Sequence, residues 1–140
     1  MNTTYHSNRN IVYACTYHVV WCPKYRRPVL TGDVSVRLRE LLLSHATTIA
    51  VGVLELEVLP DHIHLVLDVD PQFGIHKAVK SLKGHTSRIL REEFPELTTR
   101  LPTLWTNSYF VATTGGVSLE MIKHYIQQQK TSQRQKERMG

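Results

Sequence analysis

Val53-Leu54-Glu55-Leu56-Glu57-Val58-Leu59-Pro60-Asp61-His62-Ile63-His64-Leu65-Val66-Leu67-Asp68-Val69 reads as two strands joined by a tight turn. In 53–59, apolar and other residues alternate, the period of a half-buried strand. This alternation sets Leu54, Leu56 and Val58 on one face, with Glu55, Glu57, Val53 and Leu59 on the other. Pro60-Asp61 supplies the turn. In 62–69, Ile63, Leu65, Leu67 and Val69 fill one face, and His62 and His64 project side by side from the other. Two imidazoles so placed can grip one metal ion; the competing reading is a pair of half-buried, hydrogen-bonded strand histidines. The hairpin brings Glu57 close to His62 or His64. Glu57 is then a metal ligand, a carboxylate that orients an imidazole, or an exposed strand residue.

Towards the N-terminus, residues 11–22, IVYACTYHVVWC, are rich in β-branched and aromatic residues and read as a long central strand. His18 falls in its polar-leaning set with Thr16, so it either shares the histidine face or serves structure. A Pro-bracketed loop follows with Lys24, Tyr25, Arg26 and Arg27, an aromatic among cations that can hold a nucleic-acid backbone and stack a base. Thr31-Gly32-Asp33 is a turn with capping candidates. Val34, Leu38, Leu41, Leu42, His45 and Ile49 recur at helical spacing, giving a core-packing helix over 34–50.

Towards the C-terminus, a loop over 71–74 leads to a second helix, 75–94, with Ile75, Val79, Leu82, Ile89 and Phe94 as its apolar stripe. Lys77, Lys80, Gly84, Arg88 and Arg91 recur on another face, with Lys83 beside Gly84. A cationic stripe broken by a glycine suits a close approach of phosphates; alone, it equally suits a solvated face. Residues 95–108 form a connection, 109–113 a short strand, and Gly115-Gly116 a joint. Ser118 caps a last helix, in which Leu119, Ile122 and Ile126 pack inward while Tyr125 and Gln129, four apart, share a face. Beyond Lys130 the tail is polar and basic. Strand, helix, strand, strand, helix, strand is the split βαβ, ferredoxin-like plan. The expected fold is α+β, an antiparallel sheet with helices on one face, the other face free, and an additional C-terminal helix carrying the tyrosine.

The 140 residues suit a single domain spanning 1–140, with its core over about 11–130 and a basic tail over 131–140. No apolar run is long enough to span a membrane, and the first ten residues do not read as a signal peptide, so the expected location is cytoplasmic. Cys15 and Cys22, if both on one strand, lie about 23 Å apart, beyond disulfide reach. Lys and Arg number 17 against 12 acids, a net +5, which suits a polyanionic partner. Six acids and no Lys or Arg lie between Glu40 and Asp70, whereas five basic residues lie between Lys77 and Arg91. The acids thus gather around the histidine strand and the bases elsewhere, as in a metal-holding patch framed by phosphate-holding surfaces.

A metal ion near a phosphodiester polarises it as a Lewis acid. His62, His64 and an amide such as Gln129 are neutral ligands that leave the ion its full charge. Tyr125 can supply a nucleophile, once its hydroxyl, with an ordinary pKa near 10, is activated. Attack on a DNA strand would give a 5′-phosphotyrosine and a free 3′-OH, and the retained bond energy permits rejoining.

These residues resemble a known family. Pro60-Asp61-His62-Ile63-His64-Leu65 matches the histidine–hydrophobe–histidine (HUH) motif, and Tyr125-Ile126-Gln127-Gln128-Gln129 matches a helical tyrosine with a glutamine four residues on. Tyr17-His18-Val19-Val20-Trp21-Cys22-Pro23-Lys24-Tyr25-Arg26 is similar to the family's first strand and loop, and Leu82-Lys83-Gly84 to its middle helix. The family is the single-tyrosine HUH transposases of small bacterial insertion sequences (IS200-like), and the resemblance runs in order from about 11 to 130. It implies action on single-stranded DNA with hairpin ends, a divalent ion (Mg²⁺ or Mn²⁺) on His62, His64 and Gln129, Tyr125 as nucleophile, and a homodimer. In such a dimer the tyrosine helix of one subunit can complete the site of the other, a movement that the Gly115-Gly116 joint would suit. Candidate DNA contacts are Lys24, Tyr25, Arg26, Arg27, Lys77, Lys80, Lys83 and Arg88, with Glu57 and His18 behind the metal ligands.

Rival readings fit less well. Barrel hydrolases that use a histidine pair need a longer chain. A histidine-triad hydrolase wants a third alternating histidine, where Val66 stands, and a 2H phosphoesterase wants Ser or Thr where His64 stands. A non-catalytic ferredoxin-like nucleic-acid-binding module and a domesticated relative of the transposases remain the alternatives; the former predicts that Tyr125→Phe changes nothing.

Overall fold

The computed structural model describes residues 6–7, 11–114 and 122–129. Gly115-Gly116, Ser118, Leu119 and everything from Lys130 on lie outside the described residues. A two-residue ribbon pairs β1 (His6–Ser7) with β2 (Val12–Tyr13). β3 (Thr16–Trp21), α1 (Gly32–Thr48), β4 (Gly52–Leu59), β5 (His62–Asp68), α2 (Ile75–Glu93), α3 (Glu96–Arg100) and β6 (Phe110–Thr113) follow, and residues 122–129 are helical (α4). The main sheet has the order β4-β5-β3-β6 and is antiparallel throughout. This is the expected α+β, split βαβ arrangement.

Three expectations need correction. The stretch 11–22 is not one strand: Val12–Tyr13 pairs with the ribbon, and only Thr16–Trp21 joins the main sheet. The connection 95–108 contains the short helix α3. In β4, the register with β5 shifts between Val53 and Glu55. The shift turns Leu54 outward, 58% exposed, and packs Val53 with Leu56 and Val58 against the core. Simple alternation fails there because a bulge inserts one residue and swaps the faces. Val53→Thr is therefore expected to cost about 1–2 kcal/mol, and Leu54→Thr less than about 0.5 kcal/mol. Urea unfolding of the two variants checks this, and equal losses would contradict the bulge.

The core lies between one sheet face and the two long helices. Val19, Trp21, Ile63, Leu65 and Leu67 project from the sheet and are fully buried, and Leu38, Leu42, Ala78, Val79, Leu82 and Leu90 meet them from α1 and α2. Burial of a large aliphatic side chain contributes roughly 1.5–3 kcal/mol. Trp105 packs edge-on against Trp21, ring centroids 5.9 Å apart, and its indole N–H donates to Thr86 Oγ1 at 3.0 Å. The 104–106 segment is also tied to the 22–24 segment by Lys24 N–H to Leu104 O (2.8 Å) and Thr106 N–H to Cys22 O (3.0 Å). These ties fix the stretch that leads into β6. Cys15 and Cys22 are both free thiols.

Candidate active site

Residues paired across an antiparallel ladder share a face. Glu57, His64, Val20 and Phe110 are successive partners, so they form one row on the face opposite the main helices. The next row carries Val66, His18 and Ala112. His18 is thus a diagonal neighbour of His64. The two rings stack with centroids 5.2 Å apart and planes 8° apart, and His18 Nδ1 lies 3.0 Å from His64 Nε2. Burial, followed by the nearby His18, lowers the His64 pKa against the opposing pull of Glu57, whose carboxylate is 4.0 Å from His64 Nδ1. The neutral imidazole that results is the form that ligates metals.

At the turn before β5, His62 Nδ1 donates to Asp61 Oδ1 at 2.8 Å. This leaves Nε2 as the nitrogen with a free lone pair, the carboxylate–histidine pairing that orients a metal ligand. The other Asp61 oxygen accepts from Arg26 Nε at 2.8 Å. Burial alone would push the Asp61 carboxyl up, but His62 and Arg26 outweigh it and hold its pKa below the usual value. Arg26 also donates from a terminal nitrogen to the Ile126 carbonyl of α4 at 2.9 Å. One guanidinium therefore joins the histidine turn to the tyrosine helix. Its loop is strained: Tyr25 and Arg26 have φ of 60° and 49°, left-handed values that cost of order 1–3 kcal/mol each outside glycine.

Tyr125 rests on Phe110, ring centroids 5.6 Å apart. Phe110 is two strands along the row from His64, or about 10 Å. The Tyr125 hydroxyl is 3.2 Å from Ser108 Oγ, and Ser108 Oγ donates to Gln129 Oε1 at 3.0 Å. Ser108 has one proton to give, so with this bond made it accepts from the tyrosine. Burial pushes the Tyr125 hydroxyl up to about 12. Gln129 stands beside the tyrosine, whereas Gln128 is exposed.

The candidate DNA contacts divide. Lys24 and Arg27 lie over the Tyr25 ring at 5.6 and 5.9 Å, Lys77 lies over Phe73 at 4.8 Å, and Lys80 and Arg88 are exposed. Arg26 is committed to Asp61 and α4. Lys83 donates to the Thr106 carbonyl at 2.6 Å and the Ser108 carbonyl at 3.3 Å, and burial pulls its ammonium down to about 8. These two cations brace the site internally.

Sequence reasoning missed Ser108 and the bridging role of Asp61. A loop serine has no spacing signal, and it meets the tyrosine because the tyrosine ring rests on Phe110 two residues further on. Among the described residues no three His, Cys, Asp or Glu side chains gather into a metal cage. The two imidazoles, one of them anchored by a carboxylate, project from the same sheet face, whereas the neutral amide of Gln129 is bonded to Ser108 beside the tyrosine. Neutral nitrogen and oxygen donors of this kind suit a divalent ion that keeps positions open for a phosphate.

The family described as "Transposase IS200 like" matches residues 11–129. The chain is 38% identical over 123 residues to the ISDra2 transposase TnpA of Deinococcus radiodurans, covering 86% of this chain and 88% of that one. It is 31% identical over 121 residues to the transposase for insertion sequence element IS200 of Salmonella typhimurium, covering 83% and 80%. A crystal structure assigned as a transposase from D. radiodurans R1 superposes with a TM-score of 0.79 at 37% identity, over 89% of this chain and 97% of that one. A REP-associated tyrosine transposase solved with a REP hairpin superposes with a TM-score of 0.55 at 13% identity, over 86% and 67%, and shares the fold.

Proposed function

Since the chain belongs to the IS200-like transposase family, we propose that it cuts and rejoins single-stranded DNA at hairpin-bearing element ends through a covalent 5′-phosphotyrosine on Tyr125. The carrying observation is the link from His62 through Asp61 and Arg26 to the helix of Tyr125, on the open sheet face.

Tyr125 Oη attacks the scissile phosphorus. The O–P bond forms as the P–O3′ bond breaks, the tyrosine proton is lost, and the departing oxygen ends as a 3′-OH. Attack by another 3′-OH on the phosphotyrosine reseals the strand and restores Tyr125. No net phosphodiester bond is lost, so no ATP is needed. With the hydroxyl pushed up to about 12 by burial, proton removal is part of the chemical step. His62, His64 and Gln129 would hold a divalent ion, Mg²⁺ or Mn²⁺. When bound, the ion polarises the phosphate and balances its developing charge. His18 and Glu57 support His64 from either side, and Asp61 fixes the ring of His62. Lys24, Tyr25 and Arg27 at one edge and Lys77, Lys80 and Arg88 on α2 suit the phosphate backbone. A relative of this fold is bound to a REP hairpin, which supports a hairpin substrate, and the expected assembly is a homodimer.

Labelled single-stranded DNA from the element end, mixed with protein and Mg²⁺, should yield an adduct that survives SDS, with a free 3′-OH on the released fragment. EDTA should abolish it, and His62→Ala should weaken Mn²⁺ binding by about tenfold or more as read by paramagnetic resonance. Cleavage without an adduct would overturn the phosphotyrosine mechanism. Binding with neither would favour a non-catalytic module.

A further inference from the structure

A cleft of about 430 Å³ opens between α2 and the segment entering β6. Its walls include Tyr109, His76, Lys80, Lys83 and Asn107, with Gly84 among its lining residues. None of its lining residues is Asp or Glu, so the cleft offers cations and no counter-charge. Tyr109 and His76 stack, centroids 5.9 Å apart and planes 24° apart, with the hydroxyl 2.9 Å from His76 Nδ1. This makes a braced planar surface, and the Lys83 ammonium lies 6.0 Å from the tyrosine ring.

Gly84 supplies a second, independent observation. It lies inside α2, is exposed, and an added Cβ would meet no atom within 4 Å. Packing within the protein therefore does not call for glycine, while a glycine there weakens the helix relative to alanine. What glycine leaves is bare backbone on the cleft wall, next to Lys80 and Lys83.

We propose that this cleft binds one unpaired nucleotide of the DNA strand adjacent to the bond that Tyr125 attacks, its base against Tyr109 and His76 and its phosphate against Gly84 and Lys80. The proposal rests on the reading of the chain as a single-strand transposase. A planar aromatic surface with adjacent cations is the chemistry that recognises a stacked base and its phosphate. The volume fits a small-ligand site. The position next to the scissile bond follows from Ser108, whose carbonyl accepts from Lys83 in the cleft while its hydroxyl meets Tyr125.

The test uses the full chain carrying Tyr125→Phe and single-stranded oligonucleotides from the element flank, each with one thymine replaced by 5-iodouracil. Irradiation should cross-link one position next to the cleavage site to Tyr109, Trp105 or His76. Tyr109→Ala should weaken binding by about tenfold, with Tyr109→Phe restoring most of it. Gly84→Ala should raise Tm by about 4 °C and yet weaken binding by about fivefold or more, opposite signs that a damaged fold cannot produce. Cross-links only outside the cleft, or a stabilised Gly84→Ala protein that binds normally, would overturn the proposal. The native-tyrosine chain is tested on the same strands: adducts there with no effect at the cleft refute the cleft alone, and loss of both binding and adduct refutes the transposase reading as well.

Discussion

Replacing Tyr125 by phenylalanine is expected to lower strand cleavage by a factor on the order of 10⁴ or more, the scale for loss of a nucleophile, while DNA binding persists. The substitution keeps the ring that rests on Phe110 and removes one hydrogen bond to Ser108, so it should cost only about 0.5–1.5 kcal/mol of stability. Ser108 keeps its bond to Gln129, so the helix retains a tie to the loop. The pH profile offers a second check. The Tyr125 hydroxyl is raised by burial to about 12, which leaves the nucleophile protonated throughout the neutral range. The single-turnover rate at constant Mg²⁺ should therefore rise with pH, since each step upward increases the ionised fraction. A cleavage rate that persists in the phenylalanine variant would refute the role of Tyr125.

Arg26→Ala is expected to lower stability by about 3 kcal/mol and to reduce the adduct yield sharply. The Arg26 side chain is only 14% exposed, and its guanidinium bonds both Asp61 and the Ile126 carbonyl. Its loss leaves a half-buried carboxylate with His62 alone and frees α4 from the histidine turn. The left-handed backbone at Tyr25 and Arg26 would keep only its main-chain bonds, such as Arg26 N–H to Pro23 O. Lysine should not rescue, because one ammonium on a flexible stem cannot reproduce the planar fork. Thermal unfolding and single-turnover cleavage of the alanine and lysine variants decide this. The Asp61 pKa is depressed in the folded state, so its contribution is present above the ordinary carboxylate value near 3.8 and is lost as pH falls through the lower folded value. Retention of full cleavage by the lysine variant would refute the bridging role.

The order of elements and the shared face of His62 and His64 were legible in the sequence because both follow from period and turn chemistry. Tyr125 and Gln129 were placed together by helical spacing alone. The bulge at Leu54 was not legible: two leucines flanking Glu55 look the same with or without an inserted residue, and only pairing with Val66 decides the faces. Arg26 and Lys83 resembled surface cations because a sequence does not show which carboxylate or carbonyl folds back onto them. Ser108 was hidden for a related reason. Its partners are 17 and 21 residues away in the chain and meet it where α4 lies against β6, which is itself docked on β3.

That docking has a consequence for how the protein is made. The β4–β5 hairpin closes over a two-residue turn, whereas Val20 and Phe110 must find each other across ninety residues. Local pairing of the first kind forms early and distant pairing late. A ribosome moving at about 5–20 residues per second emits Tyr125 roughly 3–12 s after His64. Until then, a nascent chain carries the histidine pair without Tyr125. On the proposed mechanism, a message truncated before that codon would yield a product unable to form the phosphotyrosine, so premature termination fails safe.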